Sequence, residues 1–367
     1  MVVVPLTALA LMCCLGSLLT GAWFPAVTIL FNHSAWFWMK CIIVASQWSA
    51  HWHTGNWYVS APRPMTLAWY YAVLLAVLTG WIFRTKHKRA GFSLLIALSA
   101  LWMVDWQYHR GAARLDVLAL RGTPAIFAAG SGTNSDFLAD CGNTASADGI
   151  VKPFLRAHGV NRLDEFCLTA GYQQSMGGAE IVLTNFSPGL VLAGPARVRS
   201  PAYRRVTTEL EKTPGLIKTV QDGDGSAGWS VLYPSADDRF AAADEVSLVL
   251  RREFNGHSVL LLPALGHDGQ NLLMTRHPNL RAEIIMAGLP SRDEPLSEPL
   301  LEMLQPKLII IADSETPATR RVSAKLRDRL ALHRDARVLY TRDTGSLTLF
   351  IRGGSWEVRD AAGEIAY

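Results

Sequence analysis

A hydrolytic metal centre needs His, Asp, Glu or Cys side chains that converge, at least three to an ion, with one position left open. This chain of 367 residues is poor in such sets. In its last two thirds His158, His257, His267, His277 and His333 stand apart, none at ligand spacing with another. The nearest approach to a site is His267 beside Asp268 in a Gly-His-Asp-Gly run, with Asp140 as an earlier carboxylate. His33, His51 and His53 lie among Trp residues without a nearby Cys or carboxylate, and read as interfacial side chains rather than ligands. Ser131 and Ser135 flank a Gly-rich turn, but it has neither the Gly-x-Ser-x-Gly elbow of a nucleophile nor the Lys of a phosphate-cradling loop. Basic residues cluster at Arg197, Arg199, Arg204 and Arg205, and again at Arg320, Arg321, Lys325, Arg327 and Arg329. With Tyr203 as the one aromatic among them, a solvated helix face is favoured over a nucleic-acid groove.

The elements that would position these residues fall into two unlike parts. Residues 1–108 hold 10 of the 12 Trp but one acidic residue of 31, Asp105, and six of the 35 basic residues. Residues 109–367 hold the other 29 basic and 30 acidic residues, the balance of an ordinary globular domain. The net charge of +4 therefore belongs to the apolar part and is no nucleic-acid signature. This split excludes a wholly cytosolic enzyme and a disordered chain.

Val2 to Leu19 is apolar and uncharged over nearly the ~20 residues that span a hydrocarbon core. It lacks the basic start of a secretory signal. Trp23 to Val44, interrupted by Pro25 and by Asn32, His33 and Ser34, reads as an interfacial or broken helix. Met65 to Phe83 and Ala90 to Val104 read as two more spans, joined by Arg84, Lys86, Lys88 and Arg89. Basic loops stay in the cytoplasm, so Ser60, Asp105 and everything after residue 109 are expected outside it. Beyond Gly111, strand patterns at 115–120, 125–129, 165–169, 229–233, 246–251, 258–262, 284–287, 308–312 and 338–340 alternate with helical ones at 150–157, 202–210, 298–304 and 318–332. Strands in two clusters with helices between them predict a layered α/β sandwich. Gly223 to Gly228 reads as a turn-rich loop, and Asp140 as a turn residue or helix cap.

The order of segments resembles the C-terminal half of the ComEC family of bacterial DNA-uptake channel proteins, whose last membrane helices lead into a metallo-β-lactamase-fold domain. Leu115, Asp116 and Val117 match the opening of the family's Leu-Asp-Val-Gly-Gln-Gly-Asp segment, and Ala139 to Gly142 is similar to its Ile-Asp-Gly-Gly turn. Ile150 to Leu155 resembles its next helix, and Gly159 to Leu163 its Gly-Ile-x-x-Leu-Asp stretch. Where the family has Ser-His-x-His-x-Asp-His-x-Gly-Gly, this chain runs from Thr169 to Gly178 with Ala170, Tyr172, Gln174 and Ser175 at the ligand positions. The family's Thr-Gly-Asp falls near Ala264, and its Pro-His-His-Gly at Ala287, Gly288, Leu289 and Pro290. The frame is kept and the ligands are gone. His267 and Asp268 are the best residual candidates, with Asp140 retained.

The resemblance implies an α-helical transmembrane segment, residues 1–108, followed by a four-layer αβ/βα sandwich, residues 109–367. The domain is expected to hold no cofactor, although the family would use a divalent metal such as zinc or manganese. The expected function is a structural or strand-guiding part in DNA internalisation at the bacterial inner membrane, with single-stranded DNA and a second polypeptide completing the channel as partners. Two alternatives stay open: an extracytoplasmic metal-dependent phosphodiesterase acting on the untransported strand, and a membrane-anchored binding module unrelated to DNA. The same fold would put Cys141 and Cys167 after neighbouring strands, where an extracytoplasmic site permits a disulfide. Two buried thiols are the favoured reading.

Overall fold

The computed structural model describes residues 3–21, 23–50, 57–62, 64–80, 88–110, 112–120, 123–130, 136–196, 200–240, 242–316 and 320–365. His51, His53, Arg84, Lys86, Ser131, Ser135, Arg197, Arg199 and Ala318 lie outside them. The chain forms two compact units, Met1–Tyr58 and Val59–Tyr367.

The first unit is a helical hairpin, α1 (Val3–Thr20) and α2 (Pro25–Ala50). Pro25 opens α2, where its missing N–H is one the helix leaves unpaired anyway. Asn32 and His33 lie within the continuous helix, which is therefore not broken there. Asn32 accepts a hydrogen bond from Ser17 across the hairpin at 2.6 Å, and Thr20 and Thr28 meet at 3.1 Å. A side chain at Gly16 would run into the Phe31 ring, so this glycine sets how closely the helices approach. Among the described residues one helix, Pro25–Ser49, is long and apolar enough to cross a membrane, while Val4–Thr20, Pro64–Leu78 and Gly91–Val104 are shorter apolar helices.

The second unit opens with α3 (Pro64–Leu78) and α4 (Lys88–Arg110). An eight-stranded sheet follows, built from β1 (Ala113–Leu118), β2 (Ala125–Ala129), β3 (Phe137–Ala139), β4 (Glu165–Leu168), β5 (Leu190–Ala193) and β6 (Ile217–Thr219). It is completed by β14 (Leu347–Arg352) and β15 (Ser355–Arg359) in the order β15-β14-β1-β2-β3-β4-β5-β6. The second sheet contains β7 (Gly225–Ser226), β8 (Trp229–Tyr233), β9 (Val249–Phe254), β10 (His257–Leu262), β11 (Ile284–Ala287), β12 (Leu308–Ile311) and β13 (Arg337–Tyr340), in the order β13-β12-β11-β10-β9-β8-β7. Helices α5 (Thr144–Ser146), α6 (Lys152–Ala157), α7 (Gln173–Met176), α8 (Ala179–Phe186) and α9 (Pro201–Glu211) accompany the first sheet. With the second go α10 (His267–Arg276), α11 (Glu298–Leu304), α12 (Ala324–Leu332) and α13 (Thr341–Thr344).

Strand alternation makes this a four-layer αβ/βα sandwich. In β10, Val259 and Leu261 enter the core shared by the two sheets, while Leu260 and Leu262 pack under the helices. The same division holds for Ile284 and Met286 against Ile285 and Ala287, and for Leu308 and Ile310 against Ile309 and Ile311. Strands covered on both faces must be apolar throughout, which explains their uninterrupted Ile and Leu runs. A third core holds Leu138, Phe166 and Val191 against the helices of the first sheet. Each fully buried Leu or Phe contributes about 1.5–3 kcal/mol over an exposed one.

Several local expectations change, among them a loop, a strand start and a helix start; the first strand also shifts to Ala113–Leu118. Residues 223–228 hold the short hairpin strand β7, turned through Ala227 and Gly228, both at positive φ, as a two-residue hairpin loop requires. The strand expected from 246 begins at Val249, because Leu248 donates its N–H to Thr169 O at 2.7 Å rather than to a ladder. The helix expected from 318 begins at Ala324, where Ser323 caps it by accepting the Leu326 N–H at 3.0 Å.

Candidate functional site

In open α/β sheets the loops after the carboxyl ends of parallel strands meet and form the site. Here β3 and β4 are parallel, as are β10, β11 and β12, so Asp140, Thr169 to Ser175, Ala264, Gly288 to Ser291 and Asp313 all follow strand ends. Hydrogen bonds lace these loops together. Cys141 and Gly142 donate to Ser175 O at 3.1 and 2.9 Å, Thr123 Oγ1 donates to Gln174 O at 2.7 Å, and Gly288 donates to Leu262 O at 3.0 Å.

Asp140, 2% exposed, ends β3 in the left-handed conformation at φ 58°. It is a turn residue as expected, but the cap of α5 is Asn143, which accepts from Ser146 N at 2.8 Å. The Asp140 carboxylate accepts the Thr169 N–H at 2.9 Å and the Thr169 hydroxyl. Burial pushes its pKa up to about 7, against hydrogen bonding to the ionised form by Ser175 and Thr169. Cys141 and Cys167 are buried and stand as separate thiols, both held above the usual range by burial and then by Asp140.

At the four positions that the resemblance assigns to metal ligands, Ala170, Tyr172, Gln174 and Ser175 stand. Ala170 is buried and offers no donor, as are Ala264 and Leu289 in the facing loops. A Cβ on Gly288 would sit 3.2 Å from Pro124 Cδ and Pro263 C, too close for a larger residue without adjustment. The Tyr172 hydroxyl is enclosed and makes no hydrogen bond among the described residues, and burial raises its pKa, followed by the charge of Asp140. Gln174 accepts a hydrogen bond at 2.8 Å from Arg320 Nε.

Arg320 is the residue the sequence did not single out for this place. It is 5% exposed and donates to Gln174 Oε1, to Leu289 O and, at 3.2 Å, to Ser291 Oγ, with its guanidinium carbon 5.5 Å from the Tyr172 ring centre. Ser291 N in turn donates to the buried Asp244 at 2.6 Å. The sequence set Arg320 in a solvated basic cluster, and the structure buries that one residue while its neighbours stay exposed or form partly exposed ion pairs. Arg327 pairs with Asp313 and Asp343, each at 3.0 Å, Arg329 with Glu294 at 2.9 Å, and Arg321 with Glu315 at 3.6 Å. Arg204, Arg205 and Lys325 remain exposed.

His267 and Asp268 open α10 on the exposed side. His267 Nδ1 lies 3.3 Å from Asn271 on its own helix, and its N–H reaches Asp293 at 3.3 Å. Glu245, not Asp268, caps the helix turn by accepting the Gly269 N–H at 2.7 Å. Among the described residues no group of three His, Cys, Asp or Glu could hold a metal ion. Zinc or manganese needs several anionic or imidazole donors on one centre. A donor set of Ala, Tyr, Gln and Ser crossed by a buried guanidinium does not fit either ion.

No protein-family model matches the chain. ComE operon protein 3 of Bacillus subtilis (strain 168) is 29% identical over 202 residues, 54% of this chain and 26% of that relative. The chain spans about a quarter of the curated relative it matches, and the match is consistent with the C-terminal half of the ComEC family. Among solved structures, the Rm3 metallo-β-lactamase covers 62% of this chain and 93% of its own at 12% identity, TM-score 0.32. The metallo-β-lactamase SMB-1 covers 50% and 82% at 16% identity, TM-score 0.32. The layer order of the two sheets and their helices, rather than these superpositions, carries the fold.

Proposed function

We propose that the chain is a membrane component of bacterial DNA uptake, a ComEC-like part whose sandwich domain is a scaffold or strand guide and catalyses no hydrolysis. The observation that carries the non-catalytic reading is the hydrogen-bonded path from Gln174 through Arg320 to Leu289, which joins two positions assigned to metal ligands by resemblance. The likeness to ComE operon protein 3 supports the involvement in DNA uptake. Deleting the gene in its host should lower the arrival of labelled DNA in the cytoplasm, and the wild-type chain should restore it. Uptake unchanged by the deletion would favour the binding module unrelated to DNA.

On the same reading the chain is a multi-pass protein of the inner membrane with residues 109–367 outside the cytoplasm. Ser60, just before α3, pairs with His158 at the end of α6, and Ala61 donates to Ala157 O at 2.8 Å. The segment leading into α3 thus lies on the same side as the sandwich. The basic connection between α3 and α4 falls on the opposite side when both helices cross, and positive loops are retained in the cytoplasm. A reporter active only in the periplasm, fused after Tyr367, should therefore be active. Activity from a cytoplasm-only reporter at that position would reverse the orientation.

A further inference from the structure

We infer that Arg320 is the chain's own substitute for the metal cations around which such a site is built: a guanidinium fastener tying the loop after β4 to the loop after β11. The inference rests on the non-catalytic reading proposed above and adds what replaced the metal. A bound ion in a site of this kind brings positive charge and several short bonds to loops distant in sequence. Arg320 brings both. Three of its nitrogens donate, one each, to Gln174, which is 146 residues away, and to Leu289 O and Ser291 Oγ, 31 and 29 residues away.

Its partners are neutral, so the planar fork rather than ion pairing fixes the geometry, and a Lys ammonium could not reach all three. Truncating a buried charged donor leaves its acceptors unpaired, which is the costly half of a buried hydrogen bond. Gln174 Oε1 and Leu289 O would lose their partner together. The Thr169 to Ser175 loop would loosen first, because its other ties are backbone bonds from Cys141 and Gly142 to Ser175 O and from Leu248 to Thr169 O, and the bonds of Thr123 and Asp140.

Cys141 reports this opening, since its Sγ lies 3.8 Å from Ser175 O in a buried position. The experiment uses the full chain in detergent and follows alkylation of Cys141 by mass spectrometry at that site. Arg320→Ala should label roughly tenfold faster than wild type or more, as local opening becomes easier. Methylguanidinium at low millimolar concentration should slow that labelling back towards wild type, whereas zinc or manganese should not. Arg320→Lys, which keeps the charge and loses the fork, covers the case in which the Ala variant does not fold. It too should label faster than wild type.

Equal labelling of wild type and Arg320→Lys, or rescue of Arg320→Ala by zinc or manganese as good as by methylguanidinium, would overturn the fastener. Stoichiometric metal in the wild-type chain would instead overturn the function proposed above, so the two failures read differently.

Discussion

Asp140→Asn should stabilise the protein at pH 8 by up to about 4 kcal/mol and flatten its stability between about pH 4 and pH 7. The Asp140 pKa is raised from 3.8 to about 7 by burial inside the fold. Below the lower value both folded and unfolded chains carry a protonated carboxyl, and the full stability is present. As pH rises through the window the unfolded chain releases the proton and the folded one keeps it, so stability falls until the folded pKa is passed. A neutral Asn keeps the acceptor for the Thr169 N–H and has no charge to bury. Urea unfolding of both proteins at pH 5 and pH 8 measures the difference. A variant less stable than wild type at pH 8 would mean that the Asp140 charge serves a bound cation, contrary to a metal-free scaffold.

Much of the sandwich was legible because its central strands bury both faces. Ile284–Ala287 and Trp229–Tyr233 carry uninterrupted apolar or alternating patterns, and the structure reproduces their expected bounds. Edge and short strands were not legible: Ile217–Thr219 is half exposed, and Ser355–Arg359 pairs on one side only within its sheet. Nor was α10, whose first turn contains His267, Asp268 and Gly269 and is ended by Glu245 from another loop. The apolar helices were found, but Pro25 and Asn32 misled. One is an N-terminal position and the other is bonded across the hairpin, neither of which periodicity reveals.

For the site, the family resemblance assigned ligand positions to loops that the structure ties together by hydrogen bonds. It could not place Arg320. A basic residue among other basic residues looks solvated unless its acceptors are known, and these lie 146 and 31 residues away. The same holds for Asp313, a buried carboxylate after β12 that takes the Val322 N–H at 2.8 Å and Arg327 at 3.0 Å. Asp244, buried beside Ser291, carried no signal beyond its charge. Partners fixed by tertiary structure leave no local pattern.

The second large effect expected is on chemistry rather than stability. Enzymes raise hydrolytic rates by about 10⁶-fold or more, so a working phosphodiesterase and an empty fold differ by orders of magnitude. The positions that the resemblance assigns to ligands supply no imidazole or ionised carboxylate to hold a metal-bound hydroxide, and among the described residues His267 faces its own helix instead of joining Asp140 in a cluster. Metal content of the purified full chain, measured together with turnover of single-stranded DNA and a chromogenic phosphodiester with and without chelator, tests the non-catalytic scaffold most directly. A scaffold should carry zinc and manganese well below one ion per chain and show turnover equal to the buffer blank, unchanged by chelator. One or two ions per chain, with turnover abolished by chelator and by His267→Ala, would contradict it.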